Sequence, residues 1–175
     1  MIQLLGIVGR KQRGKDTLHS MLCQLSPVPV ERFAFGDALK AEIAEKTGVP
    51  VHVINQLKDK FRPVLQWWGT DFRRDMCDVD YWLPWLDRAL KGRGENALLC
   101  VTDVRFLNEA DRIRECGGIL VRIVREMPDG DRHTSESESD RIVVDATIRN
   151  DGNLDELLKK AEGLLLFLRL GAKRR

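Results

Sequence analysis

Apolar and polar positions alternate along this chain in two distinct rhythms. IQLLGIV (2–8) is a short continuous apolar run closed by Gly9, the mark of a strand buried on both faces. Leu18, Met21, Leu22 and Leu25 then recur at i, i+3, i+4 and i+7, which predicts a helix over about 15–25 with one apolar face. SPVP breaks it, ERFAF (31–35) predicts a short strand, and GDALKAEIAEKTG (36–48) predicts a helix stopped by Gly48. Residues 51–92 form a long helical region in which Pro63 and Pro84 start or kink helices. After the GRGEN loop, ALLCVTD (97–103) is a buried strand, FLNEADRIREC (106–116) a helix, and GGILVRIV (117–124) a turn plus strand. REMPDGDRHTSESESD (125–140) has almost no apolar residue and predicts a mobile loop. RIVVDATIRNDG (141–152) carries a last strand. Asn153 and Glu156 match a capping box, opening a helix with Leu154, Leu157, Leu158, Ala161, Leu164, Leu165 and Leu168 on one face. Apolar strands separated by amphipathic helices predict an α/β chain, its parallel sheet covered on both faces.

Length and charge narrow the reading further. At 175 residues the chain is expected to be one domain with room for a small lid. Its 29 basic and 27 acidic side chains leave a net charge of +2, so no global field favours nucleic acid or a membrane and any basic site must be local. Cys23, Cys77, Cys100 and Cys116 form no CxxC pair, and three of them stand in apolar runs, which predicts small buried hydrophobes. With neither a leader pattern nor about 18 consecutive apolar residues, the expected location is the reduced cytoplasm.

The chemistry is concentrated in GRKQRGKDT (9–17). A G-x4-G-K pattern between an apolar strand and a helix predicts a phosphate-binding loop. Its backbone N–H groups and helix dipole face the anion, and Lys15 reaches the β- and γ-phosphates. Where a Ser or Thr ordinarily follows the lysine to hold Mg²⁺, this chain has Asp16 and then Thr17, and either oxygen could serve. Asp103, at the C-terminal end of its strand, is the second acidic candidate for Mg²⁺, since ligands of open α/β sheets bind at that edge. NKxD-type guanine-reading patterns are absent, and a motor ATPase is normally longer. Arg62, Arg73, Arg74, Arg105, Arg125 and Arg132 supply the fixed cations that phosphoryl transfer to an anionic acceptor needs.

In this ordered set the chain resembles bacteriophage-type deoxynucleoside monophosphate kinases, a branch of the P-loop nucleotide kinases. The resemblance rests on GRKQRGKDT, FAFGDALK (33–40), LQWWGTDFRR (65–74) with DYW (80–82), TDVRFLNEAD (102–111), HTSE (133–136) and IRNDGNLDEL (148–157). It implies a three-layer α/β/α fold with a parallel five-stranded sheet, a helical acceptor-binding region at 49–95 and a lid at 125–140. Gly9, Lys11, Arg13, Gly14, Lys15, Asp16 and Thr17 would hold ATP, with Asn150-Asp151-Gly152 cradling adenine. Asp37, Lys40, Trp68, Gly69, Arg74, Arg105, Asn108 and Glu109 would sit at the acceptor. Arg125 and Arg132 would close over ATP, with His133 and Glu136 in the lid. Simpler readings exist for some of these: Trp67, Trp68, Trp82 and Trp85 at near-helical spacing also fit a core, and Asn150-Asp151-Gly152 also fits a plain turn.

The implied activity is ATP- and Mg²⁺-dependent conversion of deoxynucleoside monophosphates to diphosphates. The acceptor phosphate, largely dianionic at neutral pH, is its own nucleophile, so no general base is required. Lys15, Arg74, Arg105, Arg125 and Arg132 would position and neutralise the reacting groups. A kinase acting on a hydroxyl, such as dephospho-coenzyme A kinase, would need Asp37 or Asp103 as base. Phosphomevalonate kinase is a further alternative, and a nucleic-acid-binding ATPase using the basic, tryptophan-bearing 58–74 segment is a less favoured one. Base preference, 2′-hydroxyl selectivity and oligomeric state, a homodimer included, stay open.

Overall fold

Five strands pair in parallel in the order β2-β3-β1-β4-β5: β1 (Leu4–Val8), β2 (Val30–Phe33), β3 (Leu98–Val104), β4 (Ile119–Val124) and β5 (Ala146–Arg149). The computed structural model describes residues 3–126 and 134–171. Leu5 stands opposite Cys100 on β3 and Ile119 on β4. Because side chains alternate across a strand, Leu5, Ile7, Leu98, Cys100, Ile119 and Val121 enter one core and Leu4, Val8, Leu99, Val101 and Leu120 the other. The first core is closed by α1 (Lys15–Leu25) and α8 (Leu154–Gly171), through Leu18, Leu22, Leu157, Ala161 and Leu165. The second is closed by α2 (Phe35–Thr47), α5 (Leu83–Gly92) and α6 (Leu107–Glu115), through Phe35, Ala38, Leu86, Ala110 and Ile113. This is the three-layer α/β/α architecture, with the continuous apolar strands buried on both faces.

Between α2 and α5 lies the helical arm: α3 (Val51–Gln56), α4 (Lys58–Gln66) and a π-helical segment, Trp67–Cys77. Pro84 stands in the first turn of α5, where its missing N–H is harmless. Pro63 lies inside α4. The chain answers not with a break but with a widening, and the π turn begins four residues on. Helix α4 buries no residue, so it leans on its neighbours rather than on the sheet.

Four expectations need correction. The strand expected over 31–35 is β2, Val30–Phe33, and Phe35 already belongs to α2. The helix starts early because Asp103 Oδ1 and Oδ2 accept the N–H groups of Phe35 and Gly36 at 2.9 and 2.8 Å, a cap supplied from another strand. Within the expected loop 125–140, residues from Thr134 onward form α7 (Thr134–Arg141). Its partners are distant: Glu138 accepts the Leu107 N–H, Asp140 pairs with Arg10 at 2.6 Å, and Ser139 is buried. Of the cysteines only Cys100 is buried; Cys23 faces away from the Leu18, Met21 and Leu22 side of α1, and Cys116 caps the end of α6. Leu154 is 66 % exposed, because it opens α8 where the helix has not yet reached the sheet, while Leu157 and the later leucines of its stripe are buried or half-buried. The Asn153 cap itself is present, its Oδ1 accepting the Glu156 N–H at 2.9 Å. No helix among the described residues is long and apolar enough to cross a membrane.

Candidate active site

The loop between β1 and α1 is shaped by its neighbours as much as by its own sequence. Gly14 adopts φ 99°, ψ 21°, a left-handed conformation costly for any residue with a Cβ. A Cβ there would also stand 2.3 Å from Asn150 Nδ2, and one on Gly9 2.7 Å from the Ile123 carbonyl. The loop is therefore pressed against the ends of β4 and β5. Asn150 is buried and donates its amide to the Arg13 carbonyl at 3.0 Å. Arg13 in turn donates to the Arg125 carbonyl, and Asp151 accepts the Glu126 N–H at 2.7 Å. Lys15 Nζ folds back onto the Gly9 and Arg10 carbonyls at 2.6 and 2.8 Å, bracing the loop it serves.

Two cavities open on either side of Lys15 and Asp16. One of about 580 Å³ is lined by Gly14, Thr17, Arg125, Asn150, Gly152 and Leu154. The exposed Leu154, out of the core, thus supplies an apolar wall to a polar pocket. The other, about 850 Å³, runs from the phosphate loop along the C-terminal edge of the sheet to the helical arm. Asp37, Lys40, Gly69, Arg74, Arg105 and Glu109 line it together, as does Lys11. Trp68 and Asn108 do not. Trp68 Nε1 is bound to Glu42 at 2.9 Å, and Asn108 bridges Arg74, the Val79 carbonyl and Asp80. Arg132 and His133 fall outside the described residues, as does the side chain of Glu136.

Of the four carboxylates that line this larger cleft, all but Asp16 are occupied. Asp37 is held by Lys40 at 2.8 Å and by Arg32. Burial pushes its carboxyl up, but those two cations win and hold it below its ordinary value. Asp103 is spent on the N-terminus of α2. Glu109 is buried and takes the Arg74 guanidinium on Oε1 and the N–H groups of Arg105 and Phe106 on Oε2. Burial pushes its carboxyl up to about 7, against the pull of Arg74 and those two N–H groups. Arg74, itself 5 % exposed, lies over the Phe106 ring and also donates to Val79 and Asn108, so it forms the floor of the cleft. By contrast Lys11, Lys58, Arg62 and Arg105 line the same cleft with no hydrogen bond or ion pair from their side chains among the described residues. Arg62 was legible only as one of six candidate arginines, and Lys58 and Arg32 carried no motif. They enter because α4 and β2 deliver them to one edge.

For a divalent ion the donor set is thin among the described residues, with no group of three His, Cys, Asp or Glu side chains suited to a metal. Asp16 nevertheless lines both cavities with a carboxylate that makes no hydrogen bond to a described group, and Thr17 stands beside it. One hard oxygen plus substrate phosphates is how Mg²⁺ is usually held, so these residues fit it.

Comparison with known proteins agrees with this architecture. The deoxynucleotide monophosphate kinase family profile matches residues 39–161. A protein of Acanthamoeba polyphaga mimivirus assigned to deoxynucleotide monophosphate kinases is 30% identical over 178 residues, covering 87% of this chain and 91% of that protein. The deoxynucleotide monophosphate kinase of Escherichia phage RB69 is 30% identical over 120 residues, covering 64% of this chain but 48% of the phage protein. Among solved structures, shikimate kinase from Aquifex aeolicus superimposes with TM-score 0.54 at 17% identity, over 97% of this chain and 98% of that one. APS kinase from Mycobacterium tuberculosis does so with TM-score 0.52 at 14% identity, over 93% and 96%. At such identities these two structures speak to the fold alone.

Proposed function

Because this chain belongs to the deoxynucleotide monophosphate kinase family, and so catalyses ATP-dependent phosphotransfer to a small nucleotide, we propose the following division of labour among its residues. ATP occupies the 580 Å³ pocket, its phosphates on the N–H groups of residues 9–17 and on Lys15, its base against Leu154, Asn150 and Gly152. The deoxynucleoside monophosphate occupies the larger cleft, in the 49–95 arm, with its phosphate on Arg105. Arg125, beside the ATP pocket, and Arg132 belong to the lid over 125–140. Mg²⁺ is held by Asp16 or Thr17 together with the phosphates and supplies charge neutralisation on the transferring group. Arg74 braces Arg105 through Glu109 rather than gripping the acceptor directly. The free thiols fit a reducing cytoplasm.

The observation that carries this reading is the asymmetry of the cleft. Its cations Lys11, Arg62 and Arg105 are free among the described residues, while Asp37, Asp103 and Glu109 are engaged and the remaining carboxylate, Asp16, sits at the phosphate loop where it is assigned to Mg²⁺. A hydroxyl acceptor needs a carboxylate free to take its proton, whereas a phosphate acceptor brings its own charge and needs cations. Catalysis is then positioning and charge neutralisation in a closed site.

The test is ADP release from ATP and Mg²⁺ with deoxy- and ribonucleoside monophosphates, dephospho-coenzyme A and phosphomevalonate as acceptors, beside Lys15→Ala. Turnover with deoxynucleoside monophosphates that disappears in Lys15→Ala is expected. Turnover only with dephospho-coenzyme A, a hydroxyl acceptor, would overturn the assignment of the cleft.

A further inference from the structure

The helical arm presents a regular series to the acceptor cleft. Lys58, Arg62, Gln66, Thr70 and Arg74 stand four residues apart, and all five line the cavity. Along the series exposure falls, from the exposed Lys58 through half-buried Arg62, Gln66 and Thr70 to the buried Arg74 on the floor. An unbroken α-helix would not keep such a series on one line. A four-residue step overshoots a 3.6-residue turn by about 40°, so over four steps the last side chain would swing well away from the first. In the wider π turn, closed by i→i+5 bonds, a four-residue step falls short instead of overshooting. The change from α4 to the π segment at Trp67 therefore reverses the drift after Gln66 and returns Thr70 and Arg74 to the cleft.

Chemically the series is not uniform. Its cationic positions are 58, 62 and 74, whereas Gln66 and Thr70 are uncharged, half-buried, and make no side-chain hydrogen bond among the described residues. They are flanked in the cleft by apolar surface from Leu39, Leu65 and Gly69, with Gly69 placed so close that a Cβ would lie 2.9 Å from Leu39 Cδ2. Trp68 and Arg73 of the arm, with Tyr81 just after it, are turned elsewhere and converge on Glu42, outside the cleft lining. Apolar walls with a free amide and a free hydroxyl suit a nucleobase, which offers flat faces and an uncharged edge of donors and acceptors. They do not suit a phosphate.

We propose that Gln66 and Thr70 contact the base of the acceptor nucleotide and set base preference, and that the π segment exists to aim them. The proposal rests on the monophosphate-kinase reading of the cleft. A Gln amide and a Thr hydroxyl each offer both a donor and an acceptor, so the pair can engage more than one base by reorienting. Removing either group leaves some bases with an unmet polar edge and others unaffected, which changes the order among substrates rather than the overall rate.

The experiment compares kcat/KM for the four common deoxynucleoside monophosphates in wild type, Gln66→Leu and Thr70→Val. Binding of the same four to the ATP-free protein is measured in parallel. Losses that differ between bases by about fivefold or more, with KM for ATP unchanged, are expected. Equal losses for all four bases, or none, would overturn the proposal. Thr70→Val is isosteric and keeps the test decisive if Gln66→Leu disturbs the helix. A wild type that binds all four monophosphates but transfers no phosphate would refute the reaction, while the binding order in the variants would still judge the base contacts. A wild type that binds none would overturn both.

Discussion

Gly14 and Arg105 show how far single residues are constrained. Gly14→Ala would force a Cβ into a left-handed backbone and against Asn150, so we expect ATP affinity to fall about tenfold or more in a direct binding titration. Arg105→Ala removes a cation that has no other partner among the described residues, so it should raise KM for the monophosphate about tenfold while KM for ATP stays within about twofold. Steady-state kinetics with each substrate varied in turn distinguishes that result from a general loss of structure. Lys15 and Gly14 were visible from spacing alone, because a phosphate loop is a local object. Trp68 and Asn108, assigned to the acceptor with equal reason, are committed to Glu42 and to Arg74. Which way a helical side chain faces depends on the turn beneath it, and under Trp68 that turn is π.

Between elements, the joints are made by buried or half-buried carboxylates. Asp103 closes the N-terminus of α2 from the end of β3, and loss of such a cap costs about 1–2 kcal/mol. Asp103→Ala should lower stability by that amount in chemical denaturation, and a larger effect on Mg²⁺ dependence than on stability would reveal a second role. Glu109→Ala is expected to be more severe, about 3–5 kcal/mol, because it leaves the Arg74 charge buried without its carboxylate. Neither joint could be read from the chain. Strand β3 and helix α2 were both legible, but that a residue of one caps the other follows only from their adjacency at the sheet edge. The same holds for α7: TSESESDR has no apolar stripe, and its helix rests on Leu107, Arg10 and the buried Ser139.

For the molecule as a whole, Asp37 and Glu109 couple stability to pH in opposite senses. Asp37 titrates lower in the folded protein than in the unfolded chain, so its contribution is present above pH 3.8 and is lost as pH falls through its folded value. Glu109 titrates higher, so its contribution is present below about pH 4.5 and is lost as pH rises through about 7. Thermal melts of Asp37→Asn should therefore converge with wild type in acid. Those of Glu109→Gln should gain on wild type between pH 4.5 and 7. A Glu109→Gln difference that stays constant across that range would show that the Arg74 pair keeps Glu109 ionised throughout.

Taken alone, the sequence determined the five strands, the helices that cover them, the phosphate loop and the family resemblance, because each is written in periodicities or spacings of a few residues. Only the tertiary structure decided which carboxylates are free and which are joints, where α2 begins, that 134–141 is helical, and that Gln66 and Thr70 share a wall with Arg105. The physical reason is range. Hydrophobic period and turn chemistry act within one or two helical turns. The occupancy of a carboxylate, by contrast, depends on partners far along the chain, 68 residues between Phe35 and Asp103 and 130 between Arg10 and Asp140.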